Sequence, residues 1–553
     1  MKIIIPMSGF GERFRRAGYT VPKPLIPLNG KPIIGHVIDM FSQEDEFVFI
    51  CNQDHIQKFP VVDTLKRYCP DGRVLGIPSH KKGPVYAVIQ ALDYIDDDEP
   101  VIVNYCDFSC YWDYTHFKYW LELSGSDGCV PAYRNFHPHS LHGANYAFIQ
   151  EKDGWMMQIQ EKSPFTANKI AEFASSGTYY FAKGSYIKQF FQAAIDNNVL
   201  VNNEYYCSVI YNLMIQAGLK VSVYDLEHFM QWGTPKDLEE FRRWFDLFVR
   251  LNHIEQQTEQ QTLPGVTLIP LAGRGSRFRQ EGYQLPKPLI SVSAEPMVVQ
   301  AVRSLPRTQN YHFVCLEEHL GNSNLKQSLT ESFSDADSKV GISGLRDVTD
   351  GQARTCVAAM AHIDSRQPLT ISACDHAVLF DRDRFNQLWY DTHVDCIVWV
   401  AREHPGAVRY PEMYGWVEEE NGSITQVSVK QPLQNPEHDP IIIGTFTFKE
   451  TQIFQLAFER MVERQGMVNG EYYVDTCIND AIALGYKCVI FEVDHYICWG
   501  TPNDLKTFEY WQSCFHKWQS HPYRIENDSW IPKSKRRLIS QQTSPKLSAL
   551  PLA

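Results

Sequence analysis

Short, continuously apolar segments alternate with amphipathic ones along most of the chain. Runs such as KIIIP, EFVFIC and PVIVNY are rich in β-branched residues, whereas PIIGHVIDMF and VYAVIQALDYI carry apolar residues at helical spacing. Apolar strands that alternate with amphipathic helices are typical of a mostly parallel sheet covered on both faces. The pattern therefore predicts an α/β fold, in which ligands bind beyond the carboxyl ends of the strands.

This pattern occurs twice. Residues 5–32 and 269–296 are identical at 15 of 28 positions without a gap, and GTYYF/GTFTF, NEYY/GEYY and WGTPKDLEEF/WGTPNDLKTF follow in the same order. The repeat predicts two tandem domains, 1–250 and 265–520, joined by a polar, Gln-rich linker at 251–264. From 521 to 553 the apolar periodicity is lost and basic, Ser, Pro and Gln residues dominate, so we predict a disordered tail.

Composition and charge exclude several classes of protein. Of 553 residues, 44% are hydrophobic and 21% charged, which excludes widespread disorder. No stretch approaches the roughly 18 apolar residues of a membrane helix, and the opening MKIIIPMSGF is too short in apolar residues for a secretory signal. The net charge of −13 argues against nucleic-acid binding. Fourteen cysteines without a paired CxxC indicate a reduced, cytoplasmic protein with core thiols.

The loop after the first apolar strand carries the strongest candidate chemistry. Gly9 and Gly11 allow a sharp turn whose N–H groups approach an anion, and a helix that begins just after them adds its dipole. Arg13 supplies a forked guanidinium, and Lys23 supplies a point charge between two prolines. Phe14 occupies the third glycine position of the dinucleotide fingerprint, and no Gly-Lys-Ser/Thr follows, so neither a Rossmann fingerprint nor a Walker A loop is present. The second half repeats the loop residues as Gly273, Gly275, Arg277 and Lys287.

The pattern of a strand followed by G-x-G-x-R and P-K-P-L resembles the signature of sugar-1-phosphate nucleotidyltransferases, the nucleoside-diphosphate-sugar pyrophosphorylases. The resemblance extends over most of both halves and implies two tandem Rossmann-like (GT-A-like) nucleotidyltransferase domains with mostly parallel central sheets. It implies nucleotide binding by Ser8, Gly9, Gly11, Gly83, Gly273, Gly275 and Gly351, and catalytic contacts from Arg13, Lys23, Lys162, Arg277, Lys287 and Lys430. It also implies acceptor binding by Glu161 and Gly177, and Mg²⁺ binding by Asp107 and Asp375.

Two departures from the family pattern bear on function. A second metal carboxylate often precedes Gly-Thr in the family, but Gln231 and Cys498 stand there in the two halves, so metal binding rests on one carboxylate per half. Val429 replaces Glu161 in the second half, and valine accepts no hydrogen bond. Sugar recognition in that half is therefore expected to be changed or lost, and the first half is the safer active site.

Other candidates favour structural roles. His137, His139 and His142 have no carboxylate or cysteine at ligand spacing, so we predict a polar loop near the acceptor pocket rather than a metal site. Trp232 and Trp499 precede Gly-Thr-Pro, where stacking on a base and core packing are both open. The residues that follow them, Thr-Pro-x-Asp-Leu, predict the beginning of a helix.

The leading hypothesis is Mg²⁺-dependent transfer of a nucleotidyl group from an NTP to a sugar 1-phosphate, with release of pyrophosphate. The resemblance adds a role in supplying precursors of surface polysaccharides. The alternatives are a cytidylyltransferase acting on a non-sugar phosphate such as phosphocholine, one catalytic half with one regulatory half, and a GT-A glycosyltransferase. NYCDF and SACDH lack the Asp-x-Asp of the last class. The nucleobase, the acceptor, the activity of the second half and any homo-oligomer are not determined by the sequence.

Overall fold

The computed structural model of the chain describes residues 1–141, 143, 145–252, 261–321, 323–334, 338–543, 548 and 550–551. It divides into two compact units. Unit 1 comprises Met1–Val249, Tyr510–Arg524 and Gln541–Ala553, and unit 2 comprises Arg250–Glu509 and Ile525–Ser540. Within the predicted linker, 253–260 lie outside the described residues, as do His142 and positions 544–547, 549 and 552–553 of the predicted tail.

The first half of the chain alternates strands and helices as its apolar pattern predicts. The strands are β1 (Lys2–Met7), β2 (Pro27–Leu28), β3 (Lys31–Pro32), β4 (Glu46–Asn52), β5 (Arg73–Ile77), β6 (Val101–Asn104), β7 (Phe108–Tyr111), β8 (Gly128–Tyr133), β9 (Ala147–Lys152), β10 (Trp155–Glu161), β11 (Phe173–Ser175), β12 (Thr178–Phe181), β13 (Val221–Asp225) and β14 (His228–Gln231). The helices are α1 (Glu12–Arg16), α2 (Ile33–Ile38), α3 (Gln53–Lys58), α4 (Val61–Tyr68), α5 (Pro84–Ile89), α6 (Tyr114–Ser124), α7 (Gly184–Asp196), α8 (Ile210–Gln216) and α9 (Pro235–Leu251).

The second half repeats this succession of elements. Its strands are β15 (Leu263–Leu271), β16 (Ser291–Val292), β17 (Glu295–Pro296), β18 (Thr308–Leu316), β19 (Lys339–Leu345), β20 (Leu369–Ile371), β21 (His376–Leu379), β22 (Cys396–Ala401), β23 (Gly415–Glu420), β24 (Ser423–Val429), β25 (Ile441–Phe448), β26 (Cys488–Glu492) and β27 (His495–Cys498). Its helices are α10 (Ser276–Gln280), α11 (Met297–Arg303), α12 (Glu317–Gly321), α13 (Leu325–Phe333), α14 (Gln352–Val357), α15 (Arg382–Tyr390), α16 (Pro405–Arg409), α17 (Thr451–Glu463), α18 (Val474–Ala483), α19 (Pro502–Lys517) and α20 (Lys533–Gln542).

Each unit is built on one large mixed sheet. In unit 1 the strand order is β11-β9-β10-β13-β8-β12-β6-β1-β4-β5, and in unit 2 it is β23-β24-β26-β22-β25-β20-β15-β18-β19. The two orders coincide when β25 is matched to β11 and β12 together. The prediction of an α/β fold with two tandem Rossmann-like halves is therefore confirmed.

The sheets are less parallel than the apolar pattern suggests. Strands β6, β1, β4 and β5 are mutually parallel, whereas β12 runs antiparallel to both β6 and β8. The hairpin β9–β10 adds further antiparallel pairing. Strand β12 is buried on both faces, so its sequence YYFAK has the continuous apolar character typical of a parallel strand. The apolar pattern therefore does not show that β12 runs antiparallel. The parallel half of each sheet is the part that carries the glycine loop.

The predicted boundaries need three corrections. Leu263 and Pro264, assigned to the linker, belong to β15, where Leu263 is buried and pairs with Thr308. Residues 521–543 were predicted as a disordered tail, but Tyr523, Ile525 and Ile531 are fully buried and α20 follows them. These scattered apolar anchors fix the segment although its composition is polar. Residues 510–520, predicted as part of the second domain, belong to unit 1.

The cysteines are all free, and all but Cys69, Cys374 and Cys498 are buried. They therefore serve as core thiols, as their composition predicts. Among the described helices, none combines the length and the apolar character that crossing a bilayer requires.

The histidine segment of the first half is part of the core rather than a polar loop, which corrects the sequence-based prediction. His137 and His139 are 2% and 8% exposed and pack on the ring of Tyr133. The His137 Nδ1 lies 2.9 Å from the Tyr510 hydroxyl. No cluster of three or more potential metal-ligating His, Cys, Asp or Glu side chains occurs in the described part of the chain.

Burial of His137 predicts that the protein loses stability in acid. Burial lowers the pKa of His137 to about 3 from its ordinary 6.5, so the unfolded chain takes up a proton that the folded chain refuses. The free energy of unfolding should fall as the pH drops from 6.5 towards 3, by up to about 1.4 kcal/mol per pH unit for this residue. Urea unfolding at pH 7.5 and 5.0 measures this, with His137→Gln as the comparison. Equal losses in the two proteins would contradict the assignment.

Candidate functional site

The turn after β1 forms as the two glycines predict. Gly11 adopts a left-handed backbone with φ 62° and precedes α1, and a Cβ added there would lie 3.7 Å from the Lys23 Cβ. Gly275 repeats this geometry before α10 with φ 61°. Both helices have only five residues, so their dipoles add little and anion binding at this loop depends on the turn and on nearby cations.

Lys23 and Asp107 converge below this turn. Pro22 and Pro24 hold Lys23 at the beginning of a 3₁₀ turn, and Asp107 follows the carboxyl end of β6. The Lys23 Nζ donates to the Asp107 Oδ2 at 2.7 Å. Burial alone would lower the pKa of Lys23, but the Asp107 carboxylate raises it above its ordinary value. Lys23 is therefore a fixed positive charge at neutral pH.

A pocket of about 550 Å³ opens at this point, a size that suits a small-molecule ligand. It brings together seven residues singled out by the sequence: Ser8, Gly9, Gly11, Arg13, Lys23, Gly83 and Asp107. The Arg13 side chain is exposed on its rim, whereas Ser8 is buried and its hydroxyl lies 3.2 Å from the His80 Nε2. The pocket lies beyond the carboxyl ends of the parallel strands β1 and β6, as such sheets predict.

Gly83 lets two backbone segments approach closely at the wall of the pocket. Its φ is 88°, and an added Cβ would lie 2.7 Å from the Tyr205 carbonyl oxygen and 2.8 Å from the Tyr205 nitrogen. The Tyr205 N–H donates to the Lys82 carbonyl at 2.9 Å. Position 83 therefore requires glycine for two reasons: a larger residue would clash with the Tyr205 backbone, and the backbone has a positive φ. Both reasons also apply to Gly351 beside Tyr472.

The predicted acceptor residues lie next to this pocket rather than in its lining. The Lys162 Nζ donates to the Tyr206 hydroxyl at 2.8 Å, and Tyr206 lines the pocket. Glu161 accepts a hydrogen bond from the Ser208 hydroxyl, and burial raises the pKa of this carboxyl group. The Gly177 carbonyl accepts from the N–H of Tyr105, which also lines the pocket.

The backbone of the predicted acceptor lysine is unusual. Lys162 has φ 57° and its counterpart Lys430 has φ 62°, a left-handed conformation that non-glycine residues rarely adopt. Each lysine directly follows a strand, β10 or β24. Such conformations persist where the surrounding structure requires them and are concentrated at functional sites. The shared strain supports a role for both lysines.

The second unit keeps the same cation and carboxylate arrangement. The Lys287 Nζ donates to the Asp375 Oδ2 at 2.5 Å and to the Gly500 carbonyl at 3.2 Å. Burial acts to raise the pKa of Asp375, but the Lys287 ammonium lowers it below its ordinary value. Arg277 and Gly273 are exposed on the same loop, as Arg13 and Gly9 are in the first unit.

The Asp107 carboxylate and the Gln231 side-chain amide both lie beside Gly233, and together they offer oxygen donors that suit a hard divalent cation. Gly233 lies between Asp107 and Gln231. A Cβ added at Gly233 would lie 3.2 Å from the Asp107 Oδ2 and 3.6 Å from the Gln231 Nε2. The Gln231 Oε1 is buried and has no hydrogen-bond partner in the described structure. A carboxylate and an unused amide oxygen are donors that Mg²⁺ accepts. In the second unit Cys498 replaces the amide oxygen with a soft thiol.

Trp232 and Trp499 are fully buried, so core packing accounts for both. The predicted helix that follows Trp232 begins at Pro235 as α9. Sequence analysis missed Glu204 and Tyr206, which line the pocket and share a 2.6 Å hydrogen bond. The signal was present, because NEYY and GEYY recur in both halves.

Comparison with known proteins agrees with this geometry. Residues 3–161 match the family model of the MobA-like NTP transferase domain, and this range contains the glycine loop, Lys23 and Asp107. The chain is 34% identical over 102 residues to the bifunctional protein GlmU of Methanocaldococcus jannaschii, covering 18% of this chain and 24% of that protein. It is 24% identical over 272 residues to GlmU of Marinobacter nauticus, covering 48% of this chain and 55% of that protein.

A mannose-1-phosphate guanyltransferase of Schizosaccharomyces pombe is 22% identical over 174 residues, covering 31% of this chain and 47% of that protein. The chain thus spans about half the length, or less, of these curated relatives. Among solved structures, a nucleoside-diphosphate-sugar pyrophosphorylase from Vibrio cholerae matches with a TM-score of 0.36 and 20% identity, over 44% of this chain and 99% of that one. The family model over residues 3–161 and the curated relatives confirm the resemblance to sugar-1-phosphate nucleotidyltransferases, and residues 3–161 are similar to a MobA-like NTP transferase domain.

Proposed function

We propose that the protein transfers a nucleotidyl group from an NTP to a sugar 1-phosphate and releases pyrophosphate. The observation that carries the proposal is the convergence of Lys23 and Asp107, 2.7 Å apart, at the floor of a pocket bounded by the Gly9–Gly11 turn. This turn, a fixed ammonium and a carboxylate are the groups that a triphosphate and its counter-cation require.

The chemistry requires positioning of charge more than proton transfer. The acceptor phosphate is largely dianionic at neutral pH, because the second pKa of a phosphate monoester is about 6. It therefore attacks the α-phosphorus without a strong general base, and the obstacle is the repulsion between two anions. In this proposal Arg13 and Lys23 hold the triphosphate and stabilise the charge that develops on the departing pyrophosphate.

Asp107 and Gln231 are the residues that would hold Mg²⁺ in the first unit, with Asp375 in the same place in the second. The chemistry that Mg²⁺ supplies when bound is neutralisation of charge on the triphosphate oxygens. Lys162 binds the acceptor phosphate, and Glu161 accepts a hydrogen bond from the acceptor body. Gly177 keeps the wall beside the acceptor narrow, because a Cβ there would lie 3.1 Å from the rings of Phe108 and Tyr105.

Several finer assignments stay predictions. The proposal leaves the nucleobase open and keeps phosphocholine as an alternative acceptor, and a supply of surface-polysaccharide precursors follows only from the resemblance. Cytoplasmic location and oligomeric state likewise stay predictions. A purely regulatory second half is not favoured, because Lys287 and Asp375 repeat the ion pair of the first unit.

The test is a measurement of pyrophosphate release with CTP, UTP, GTP or dTTP against glucose 1-phosphate, mannose 1-phosphate, N-acetylglucosamine 1-phosphate and phosphocholine. Each pair is run with Mg²⁺ and with EDTA. We expect release with one NTP and at least one sugar 1-phosphate, abolished by EDTA. Release with phosphocholine alone would replace the sugar acceptor in the proposal, and NTP binding without release from any pair would refute it.

Gln231→Glu tests the assignment of the cation site. A second carboxylate beside Asp107 should lower the Mg²⁺ concentration needed for half-maximal activity about 3- to 10-fold, because a charged oxygen attracts the cation more strongly than an amide oxygen. Mg²⁺ should also raise the thermal midpoint of this variant more than that of the wild type. Gln158→Glu, on the exposed surface of the same unit, is the control. An unchanged Mg²⁺ requirement in Gln231→Glu would exclude position 231 from the site.

A further inference from the structure

The acceptor ends of the two units differ by more than the loss of one carboxylate. Strand register places Glu161 opposite Ala147 in the β9–β10 hairpin and Val429 opposite Gly415 in the β23–β24 hairpin. The equivalent cross-strand pair of the hairpin is therefore glutamate with alanine in unit 1 and valine with glycine in unit 2. Taken by itself, this exchange removes the acceptor-binding carboxylate from the second unit.

A third position changes in the opposite sense. Ser208 lies four residues after Glu204 in NEYYCS, and Asp475 lies four residues after Glu471 in GEYYVD. In unit 1 the Ser208 hydroxyl donates to Glu161. In unit 2 the equivalent position carries the carboxylate itself. The negative charge has moved from the strand of the hairpin to the first turn of α18.

The missing side chain of Gly415 makes room for this carboxylate. A Cβ added at Gly415 would lie 2.2 Å from the Asp475 Oδ2, a distance that real Cβ atoms do not adopt. Alanine, which stands at this step in unit 1, therefore cannot coexist with Asp475 in its present position. The three differences form one compensating set, in which glycine and valine on the hairpin accompany aspartate on the helix.

The relocated carboxylate lies near the acceptor lysine, because Asp475 abuts Gly415, and Gly415 pairs with Val429, the residue directly before Lys430. The Lys430 ammonium lowers the pKa of Asp475, although burial outweighs this effect and raises that pKa to about 6. Burial lowers the pKa of Lys430. The Asp475 carboxylate partly offsets this lowering, and the positive charge of Arg277 in the glycine loop of unit 2 adds to it. Among the described residues no side chain donates a hydrogen bond to Asp475, and the Lys430 Nζ donates to the Met413 carbonyl instead, whereas Glu161 receives a hydrogen bond from Ser208. The Asp475 carboxylate is thus placed to accept a hydrogen bond from a ligand held by Lys430.

We propose that unit 2 is a second transfer site whose acceptor is bound by Asp475 in place of the missing glutamate. This inference rests on the proposed function and specifies it for the second unit. Its acceptor is a phosphate monoester whose body carries hydroxyl or amine donors, with the phosphate on Lys430 and a donor on Asp475. Because the carboxylate approaches from the helix rather than from the hairpin, the preferred acceptor differs from that of unit 1.

The experiment uses the full chain with Lys23→Ala, which leaves unit 2 as the site under study, and the four NTPs and four acceptors named above. In this background Asp475→Asn keeps the shape of the side chain and removes its charge. We expect the acceptor KM to rise at least about 10-fold while the NTP KM changes less than about 2-fold. Asp383→Asn, an exposed aspartate of the same unit, is the matched control and should change neither.

A second variant transplants the arrangement of unit 1. Gly415→Ala, Val429→Glu and Asp475→Ser combined should shift the acceptor preference of unit 2 towards that of unit 1, which is measured in the Lys287→Ala protein. A preference that does not move, or an acceptor KM unchanged by Asp475→Asn, overturns the inference. The inference is also overturned if the Lys23→Ala protein accepts only phosphocholine, because the cation of phosphocholine has no donor hydrogen. It is likewise overturned if the Lys23→Ala protein releases no pyrophosphate while the Lys287→Ala protein remains active. Inactivity of every protein refutes the proposed function itself.

Discussion

Replacement of Lys23 by alanine is expected to reduce kcat/KM for pyrophosphate release by unit 1 about 10²- to 10³-fold, equivalent to about 3–4 kcal/mol of transition-state stabilisation. The ammonium is held at the floor of the pocket by Asp107, at 2.7 Å. A preorganised charge of this kind contributes more than an exposed one, because little reorganisation is needed when charge develops. The measurement is steady-state pyrophosphate release with the acceptor preferred by unit 1.

The control for this variant is Lys188→Ala, which removes a lysine that pairs with Asp97 at 2.5 Å on the surface of the same unit. Loss of such a surface ion pair costs at most about 1 kcal/mol of stability and should leave kcat/KM unchanged. Circular dichroism and the thermal midpoint show whether Lys23→Ala still folds. A folded Lys23→Ala protein with wild-type kcat/KM at unit 1 would refute the role given to this lysine.

Substitution of Gly83 by alanine is expected to lower the free energy of unfolding by about 2–5 kcal/mol, from a forced left-handed backbone and from overpacking. The contact cannot relax easily, because the added Cβ would meet the Tyr205 backbone at 2.7 Å and 2.8 Å rather than the end of a side chain. To relieve this contact, the backbone around Tyr205 would have to shift. Glu204 and Tyr206, which line the pocket on either side of Tyr205, would shift with it. Urea unfolding should show the loss, and NTP affinity should fall with it.

Gly125→Ala separates the two causes. Gly125 ends α6 with φ 59°, but nothing lies within 4 Å of a Cβ added there. This variant therefore incurs only the backbone cost, about 1–2 kcal/mol, and should keep its NTP affinity. If Gly83→Ala were no more destabilising than Gly125→Ala, the close approach of Tyr205 would not constrain the pocket.

The candidate site could be predicted from sequence where its residues are neighbours or are repeated. The glycine loop, Lys23 and Asp107 were found because both halves contain them in the same order. Glu204 and Tyr206 were missed although NEYY and GEYY recur in both halves, because the repeat marks the segment without showing which ligand or neighbour its side chains meet. His137 was misplaced for a related reason, since its burial comes from aromatic partners such as Tyr510 that are distant in sequence.

The sequence by itself determined the duplication, the α/β alternation, the sharp turn at Gly9 and Gly11 and the resemblance to nucleotidyltransferases, because these depend on apolar periodicity and on short stretches of adjacent residues. Only the tertiary structure decided the direction of β12, the ordered segment after residue 521 and the replacement of Glu161 by Asp475 in unit 2. Those features depend on which residues become neighbours across strands. Lys23 and Asp107 are 84 positions apart in the chain, and their contact exists only because β1 and β6 pair in parallel.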